Sequence, residues 1–484
     1  MIMKSIKELH PTKLWKNFAN LSSIPRPSKK ETKIINYLKT FGANLNLDTY
    51  VDEAGNVLIK KPATPGKEKR PTIVLQGHMD MVPQKNADVK HNFEQDGINM
   101  YIDGDWIKAK GTTLGADNGI GVAAAMTILE SNNIPHPPIE ALFTVDEETG
   151  LTGAQALKPN FLTGSILLNL DSEDDDELTI GCAGGVDISI YGTYKLAPVD
   201  ENYIGYKIIL KGLAGGHSGI QIHLGRANAN KLMNRILYQA SEKFDLRIAT
   251  IDGGSLRNAI PRESMAEIVI SNKYDLAFKS FMSEIATILK HEFSVTDPDL
   301  QLDFENISCT KNVMSKESQN KLLNAVYACP NGVYRMSADM EGVTQTSNNF
   351  ARVSVKDGKY IIHCLARGAI DTEKMNFAQS IRSVFTIANM NVQFSGEYPG
   401  WIPNPNSPIV KLMSKIYTDL FNANVEVTAT HGGLECGIIG KNYPKMDMVS
   451  FGPNIISPHS PDEKVQISSV QKFWTFLLEV LKQI

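Results

Sequence analysis

The sequence is poor in cysteine, with only Cys182, Cys309, Cys329, Cys364 and Cys436 among 484 residues. They are odd in number, widely spaced and form no CxxC pair. This argues against a disulfide framework and a Cys-rich zinc site, and it fits a reducing compartment. Long apolar runs are also missing. No stretch approaches the roughly 20 apolar residues needed to span a bilayer. The opening MIMKSIKELHPTKLW lacks the continuous apolar region of a signal peptide. The expectation is therefore a cytoplasmic protein with no membrane partner. Basic charge is not in excess. Lys and Arg total 49 against 53 Asp and Glu, for a formal net charge of -4. No basic stripe points to a nucleic-acid partner, and Lys67 to Arg70 reads as a solvated turn after Pro65-Gly66.

Hydrophobic residues make up 42% of the chain and charged residues 21%, the balance of a soluble globular protein. At about 150 residues per domain the length suggests two to four folding units. The first part reads as α/β. Residues 31–41 have the spacing of an amphipathic helix. TIVLQ (72–76), IEALFTV (139–145) and ILLNL (166–170) read as short buried strands. IGVAAAMTIL (120–129) is apolar on nearly every face, as a helix buried against a sheet must be. Strand and helix in alternation predict a largely parallel central sheet. From about 185 to 398 the strands alternate instead, as in YKIILKG, AEIVIS and ARVSV, with helices such as 228–243 between them. That reads as α+β with sheets solvated on one face. The segment PGWIPNPNSP then leads into IVKLMSKIYTDLF, VEVTATH and VQKFWTFLLEVL, which would complete the first domain. The expected organisation is a discontinuous catalytic domain, 1–184 plus 399–484, interrupted by an inserted domain, 185–398.

In an open parallel sheet, function gathers at the carboxyl ends of the strands. TIVLQ runs into Gly77-His78-Met79-Asp80. IEALFTV runs into Asp146-Glu147-Glu148. ILLNL runs into Asp171-Ser172-Glu173. Asp117 lies just before the buried helix. Carboxylates and imidazoles suit zinc, manganese or cobalt, and one carboxylate can bridge two ions roughly 3.5–4 Å apart. Taken singly, each residue has an ordinary explanation. His78 could be a turn histidine, Asp117 a helix N-cap, Glu147-Glu148 a solvated pair, and Glu173 to Glu177 an acidic loop. Four such clusters after successive buried elements are hard to assign to turns and caps alone.

GHMDMVP, GTTLGADNGIGVAAAM, VDEETGLTGA, NLDSED and AGGHSG, in this order and spacing, resemble the M20 metallopeptidase family over essentially the whole chain. The long insert and the late ISPHSPDE are similar to its aminoacyl-histidine (Xaa-His) dipeptidase branch. The resemblance implies an α/β catalytic domain plus an α+β lid, and two divalent ions, zinc with cobalt or manganese as alternatives. It implies that His78 and Asp171 hold one ion, Glu148 and His459 the other, and that Asp117 bridges them. Asp80 would orient the His78 imidazole, and Glu147 would be the general base that takes a proton from water and passes it to the leaving amine. In the lid, the matching His217 would support the oxyanion. Asn258 and Arg367 would bind substrate, and His431, Gly432 and Gly433 would close its pocket. An Arg suits the free carboxylate of a short peptide, since its guanidinium makes two parallel hydrogen bonds. The resemblance also implies a cis peptide at Asp117–Asn118.

Two other functions stay open on the sequence. The same core could cleave an N-acyl or carbamoyl amide, although the large insert and Arg367 favour a small peptide. A catalytically silent binding protein would show loss of Glu147 or of a ligand, and none is lost. A dinucleotide site is excluded, because Gly115-Ala-Asp-Asn-Gly119-Ile-Gly121 breaks the GxGxxG order and would face the pyrophosphate with an Asp. Smaller family members dimerise through the lid. A lid of double length can supply that contact within one chain, so both a homodimer and a monomer are compatible with the sequence.

Overall fold

A computed structural model describes residues 5–484. The chain divides into two compact units. The first takes the chain up to Gly181, Ile402–Ala429 and Leu434–Ile484; the second takes Cys182–Trp401 and Thr430–Gly433. Among the described residues, no helix is long and apolar enough to cross a membrane, and no disulfide joins the cysteines.

The first unit is built on an eight-stranded sheet. At its centre Ile139–Thr144, Ile73–His78, Ile166–Asn169 and Asp447–Ser450 lie side by side in parallel. The first two are buried at every position. This explains their continuous apolar character, since both faces of a central parallel strand are covered. The sheet as a whole is mixed. Asp48–Val51 pairs antiparallel with Val57–Lys61, which pairs antiparallel with Ile139–Thr144. The hairpin between the first two needs no crossover helix. Its turn is fixed by Asp52 Oδ1, which accepts from the N–H groups of Ala54, Gly55 and Asn56 at 2.9 Å.

The helix Ala116–Glu130 packs on this sheet and buries nearly every side chain. Its opening is irregular. The Asp117–Asn118 peptide is cis, and Asn118 Nδ2 donates to Leu170 O at 2.6 Å. Asn118 also crowds the strand end: a Cβ on Gly77 would fall on Asn118 Oδ1. The helix entrance is thereby locked beside His78 and Asp171. Because the central strands run parallel, His78, Glu147-Glu148 and Asp171 all emerge at one edge of the sheet.

The second unit holds a nine-stranded sheet in the order Gln301–Ile307, Tyr203–Lys211, Ser264–Ser271, Arg247–Gly253, Thr344–Lys356, Lys359–Gly368, Gly184–Thr193 and Asn391–Tyr398, with Gly332–Met336 paired to Thr344–Lys356. The pairings are antiparallel. Alternation in the sequence becomes alternation in burial. Tyr206, Ile208 and Leu210 point into the core, as do Ala266, Ile268 and Ile270 of the neighbouring strand. The helices Ala229–Lys243, Asp275–Glu292, Lys316–Ala328 and Asp371–Ile387 contribute Ile236, Met282, Leu322 and Phe377 to the same core.

Leu75 sits at the centre of the parallel sheet and is fully buried. Replacing it with Ala removes apolar contacts and leaves a cavity. The variant should lose about 2–5 kcal/mol of stability, read as a lower urea midpoint at unchanged slope.

Candidate metal and catalytic centre

At the sheet edge of the first unit, Asp117 stands between two imidazoles. Its Oδ1 lies 3.0 Å from His78 Nε2, and its Oδ2 lies 3.2 Å from His459 Nε2. His78 Nε2 is also 3.4 Å from Asp171 Oδ1, and His459 Nε2 is 2.9 Å from Glu148 Oε2. Two triads result, His78–Asp117–Asp171 and Asp117–Glu148–His459, each with its ligand atoms within 4.8 Å of one another. Glu147 and Glu148 form a third such group with His78. All five residues expected to hold ions, and Glu147, are therefore brought together.

Asp80 holds two parts of this centre at once. Its Oδ1 lies 3.4 Å from His78 Nδ1 and accepts the Glu147 N–H at 3.1 Å. Its Oδ2 accepts from Ser28 Oγ at 2.8 Å and from the Glu148 N–H at 3.4 Å. One buried carboxylate thus lies against the imidazole and holds the turn that carries the adjacent glutamates.

The electrostatics of the centre call for positive charge. Burial pushes the Glu147 carboxyl well above its ordinary value, and Asp171, Glu148 and Glu435 push it further while His78 opposes. Burial also raises Glu148, takes Asp171 up to about 6 and takes Glu173 up to about 8. The hydrogen-bonding carboxylates Asp117 and Glu148 hold His459 protonated, up to about 11. Burial opposes ionisation of Asp117, but His459 and His78 outweigh it and lower its pKa. Asp171 Oδ1 and Glu148 Oε1 are buried without a hydrogen-bond partner. Such atoms are costly unless a donor or a cation meets them. Carboxylates and imidazoles are the donor set of zinc, manganese and cobalt, so the residues present fit a divalent ion in each triad.

Residues 74–483 match the peptidase family M20/M25/M40. The chain belongs to this family. It is 44% identical over 483 residues to the cytosol non-specific dipeptidase of Escherichia coli (strain K12), covering 100% of this chain and 99% of the relative. Its fold matches the crystal structure of aminoacylhistidine dipeptidase from Vibrio alginolyticus with a TM-score of 0.91 and 43% identity, over 99% of this chain and 98% of that one. A tripeptidase from Staphylococcus aureus shares the fold at a TM-score of 0.57 and 18% identity. This M20 peptidase is accordingly a metal-dependent enzyme.

The remaining expected residues lie in the second unit. His217 pairs with Ala259 in a two-stranded ladder, and the Ser218 N–H donates to Asn258 O at 2.7 Å. His217 and the exposed Asn258 are thereby neighbours. His217 Nδ1 accepts from the N–H groups of Gly219 and Ile220 at 3.2 and 3.1 Å. Arg367 is buried and donates to Tyr398 Oη at 2.7 Å. It pairs across the sheet with Ser347, whose Oγ is 2.7 Å from His431 Nε2. Gly219 packs against the His431 backbone, and Gly433 packs against the Tyr398 ring. Gly432 donates its N–H to Thr430 Oγ1 at 3.1 Å.

Several residues that build these sites carry no pattern a single sequence exposes. Glu435 is fully buried and accepts from Gln76 Nε2 and Thr144 Oγ1, both at 2.6 Å. Arg26 and Glu463 are also buried beside the centre. Glu463 ends the ISPHSPDE segment that carries His459, and Arg26 is flanked by two prolines.

Burial and the Arg367 charge hold His431 down to about 3. Its ring should therefore stay neutral between pH 5 and 8, seen as imidazole NMR signals that do not shift. The unfolded chain takes up this proton near pH 6.5. The residue thus costs stability progressively as pH falls from about 6.5 towards 3. Ring signals that move with a midpoint near 6.5 would contradict this.

Proposed function

We propose that this M20 peptidase hydrolyses the peptide bond of dipeptides, including Xaa-His dipeptides, with His78, Asp117 and Asp171 holding one divalent ion and Asp117, Glu148 and His459 holding a second. The observation that carries the reading is the pair of acid–imidazole triads sharing Asp117. The relatives named dipeptidases support the substrate class. Zinc is the ion the donor set favours, with cobalt and manganese sharing the same ligands. The similarity to a cytosol dipeptidase of Escherichia coli and the sequence composition support a cytoplasmic setting.

Bound there, divalent ions supply Lewis acidity and bring the pKa of water from 15.7 to about 7. Glu147 lies within this group of side chains without being needed in either triad. Its carboxylate takes the proton from the attacking water and returns it to the leaving amine. The adjacent Glu148 is engaged with His459 and is therefore unsuited to the same task. Asp80 keeps Glu147 in place through its backbone N–H and keeps the His78 ring oriented. Arg367 pairs with the substrate carboxylate, and Tyr398 fixes the guanidinium from one side. His217 supports the oxyanion, Asn258 binds substrate, and His431, Gly432 and Gly433 form the loop that closes the substrate pocket.

The test is a dipeptide panel, run beside N-acetyl amino acids, on metal-stripped protein refilled with each ion. Dipeptide hydrolysis should vanish on stripping and return with metal. Preferential hydrolysis of N-acetyl amino acids would overturn the assignment in favour of an amidohydrolase. Glu147→Gln should lose about 100- to 10,000-fold in kcat while keeping its metal content. Arg367→Ala should lower kcat/KM on dipeptides, and wild-type values would remove Arg367 from substrate binding.

A further inference from the structure

The two imidazoles of the centre differ in support. His78 ends a central strand, and its side chain is 1% exposed; the His459 side chain is 52% exposed. His459 lies in the loop of a hairpin whose strands are Ile455–Ile456 and Lys464–Gln466, with a positive φ of 59°.

Four residues on, Glu463 leaves the same loop and is buried. Its carboxylate accepts from four successive backbone N–H groups. Oε2 takes Leu114 and Gly115 at 2.7 and 2.9 Å, and Oε1 takes Ala116 and Asp117 at 2.8 and 3.3 Å. The segment Leu114–Asp117 is held from its other side by Arg26, which donates to Gly115 O at 2.5 Å and to Met79 O and Asp80 O at 3.1 and 2.9 Å. Gly115 is required for this approach. Its φ is +69°, and a Cβ there would lie 2.6 Å from Arg26 Nη2. An acid thus grips one short segment by four of its donors, and a guanidinium grips it by one acceptor, Gly115 O.

The consequences for Asp117 and His459 are unequal. Asp117 keeps further anchors if Glu463 is altered, namely Arg26 through Gly115 and the Asn118–Leu170 bond. Besides the His459–Asp117 contact itself, Glu463 ties the His459 loop to the segment that carries Asp117. We propose that Glu463 is a positioning residue that registers the His459 loop against Asp117, and that it governs the affinity of the Asp117–Glu148–His459 ion site while leaving the His78–Asp117–Asp171 site nearly intact. The inference rests on the two-ion reading above.

Glu463→Gln tests it. An amide presents one acceptor and one donor group, so half of the backbone N–H groups face another donor. Metal-stripped wild-type and variant proteins are titrated with zinc by calorimetry, and bound metal is counted after gel filtration. Wild type should bind two equivalents. The variant should bind one with an affinity within about twofold of wild type and the other about 10- to 100-fold more weakly, the usual effect of altering a group behind a ligand. At saturating zinc its kcat should recover. Glu463→Asp, which keeps the charge but shortens the reach, serves if the Gln variant does not fold and should show the same split. Equal weakening of both equivalents, wild-type affinity for both, or failure of both variants to fold would overturn the proposal. A wild-type protein that binds fewer than two equivalents would instead overturn the two-ion reading itself.

Discussion

One carboxylate facing two imidazoles organises the centre. Asp117 offers one oxygen to His78 and the other to His459, and Asp171 and Glu148 complete the two sides. Burial raises Glu147, Glu148, Asp171 and Glu173 together, and repulsion from the neighbouring acids raises them further. Two imidazoles do not balance that charge. Cations do, and they also meet the buried oxygens of Asp171 and Glu148 that hydrogen bonds leave unmatched. The preference for metal is therefore a property of the whole cluster rather than of any one ligand.

The fold supplies this arrangement economically. Parallel strands deliver three of the ligand-bearing turns to one edge, and the buried helix entrance brings Asp117 to the same place. The groups behind the ligands then remove their freedom. Asp80 sets a ring and a turn together, Glu435 ties strand residues Gln76 and Thr144, and Arg26 with Glu463 fixes the segment before Asp117. In the second unit a comparable order surrounds Arg367. Tyr398 accepts from its guanidinium, and its cross-strand neighbour Ser347 meets His431, whose ring is kept neutral by burial and the Arg367 charge.

What could be read from the sequence follows from how each residue is presented. His78, Glu147, Glu148 and Asp171 directly follow apolar runs that are buried strands, and Asp117 opens a helix apolar on all sides. Periodicity and position therefore expose them. His459 sits in a Pro/Ser loop that looks like any surface turn, and only the resemblance to M20 peptidases singled it out. Glu463, Arg26 and Glu435 act through backbone groups or buried polar partners far away in sequence, an arrangement that leaves no spacing to detect. The α/β layer was legible from alternating strands and helices. Its antiparallel edge was not, because Asp48–Val51 and Val57–Lys61 are short and only partly buried. The alternating strands of the second unit translated directly into one buried face.

The most direct measurement is anomalous diffraction at the zinc edge from crystals grown with zinc. Two peaks are expected, one bounded by His78, Asp117 and Asp171 and the other by Asp117, Glu148 and His459, with Asp117 contributing one oxygen to each. A single peak, or peaks that leave Asp117 uncoordinated, would contradict it.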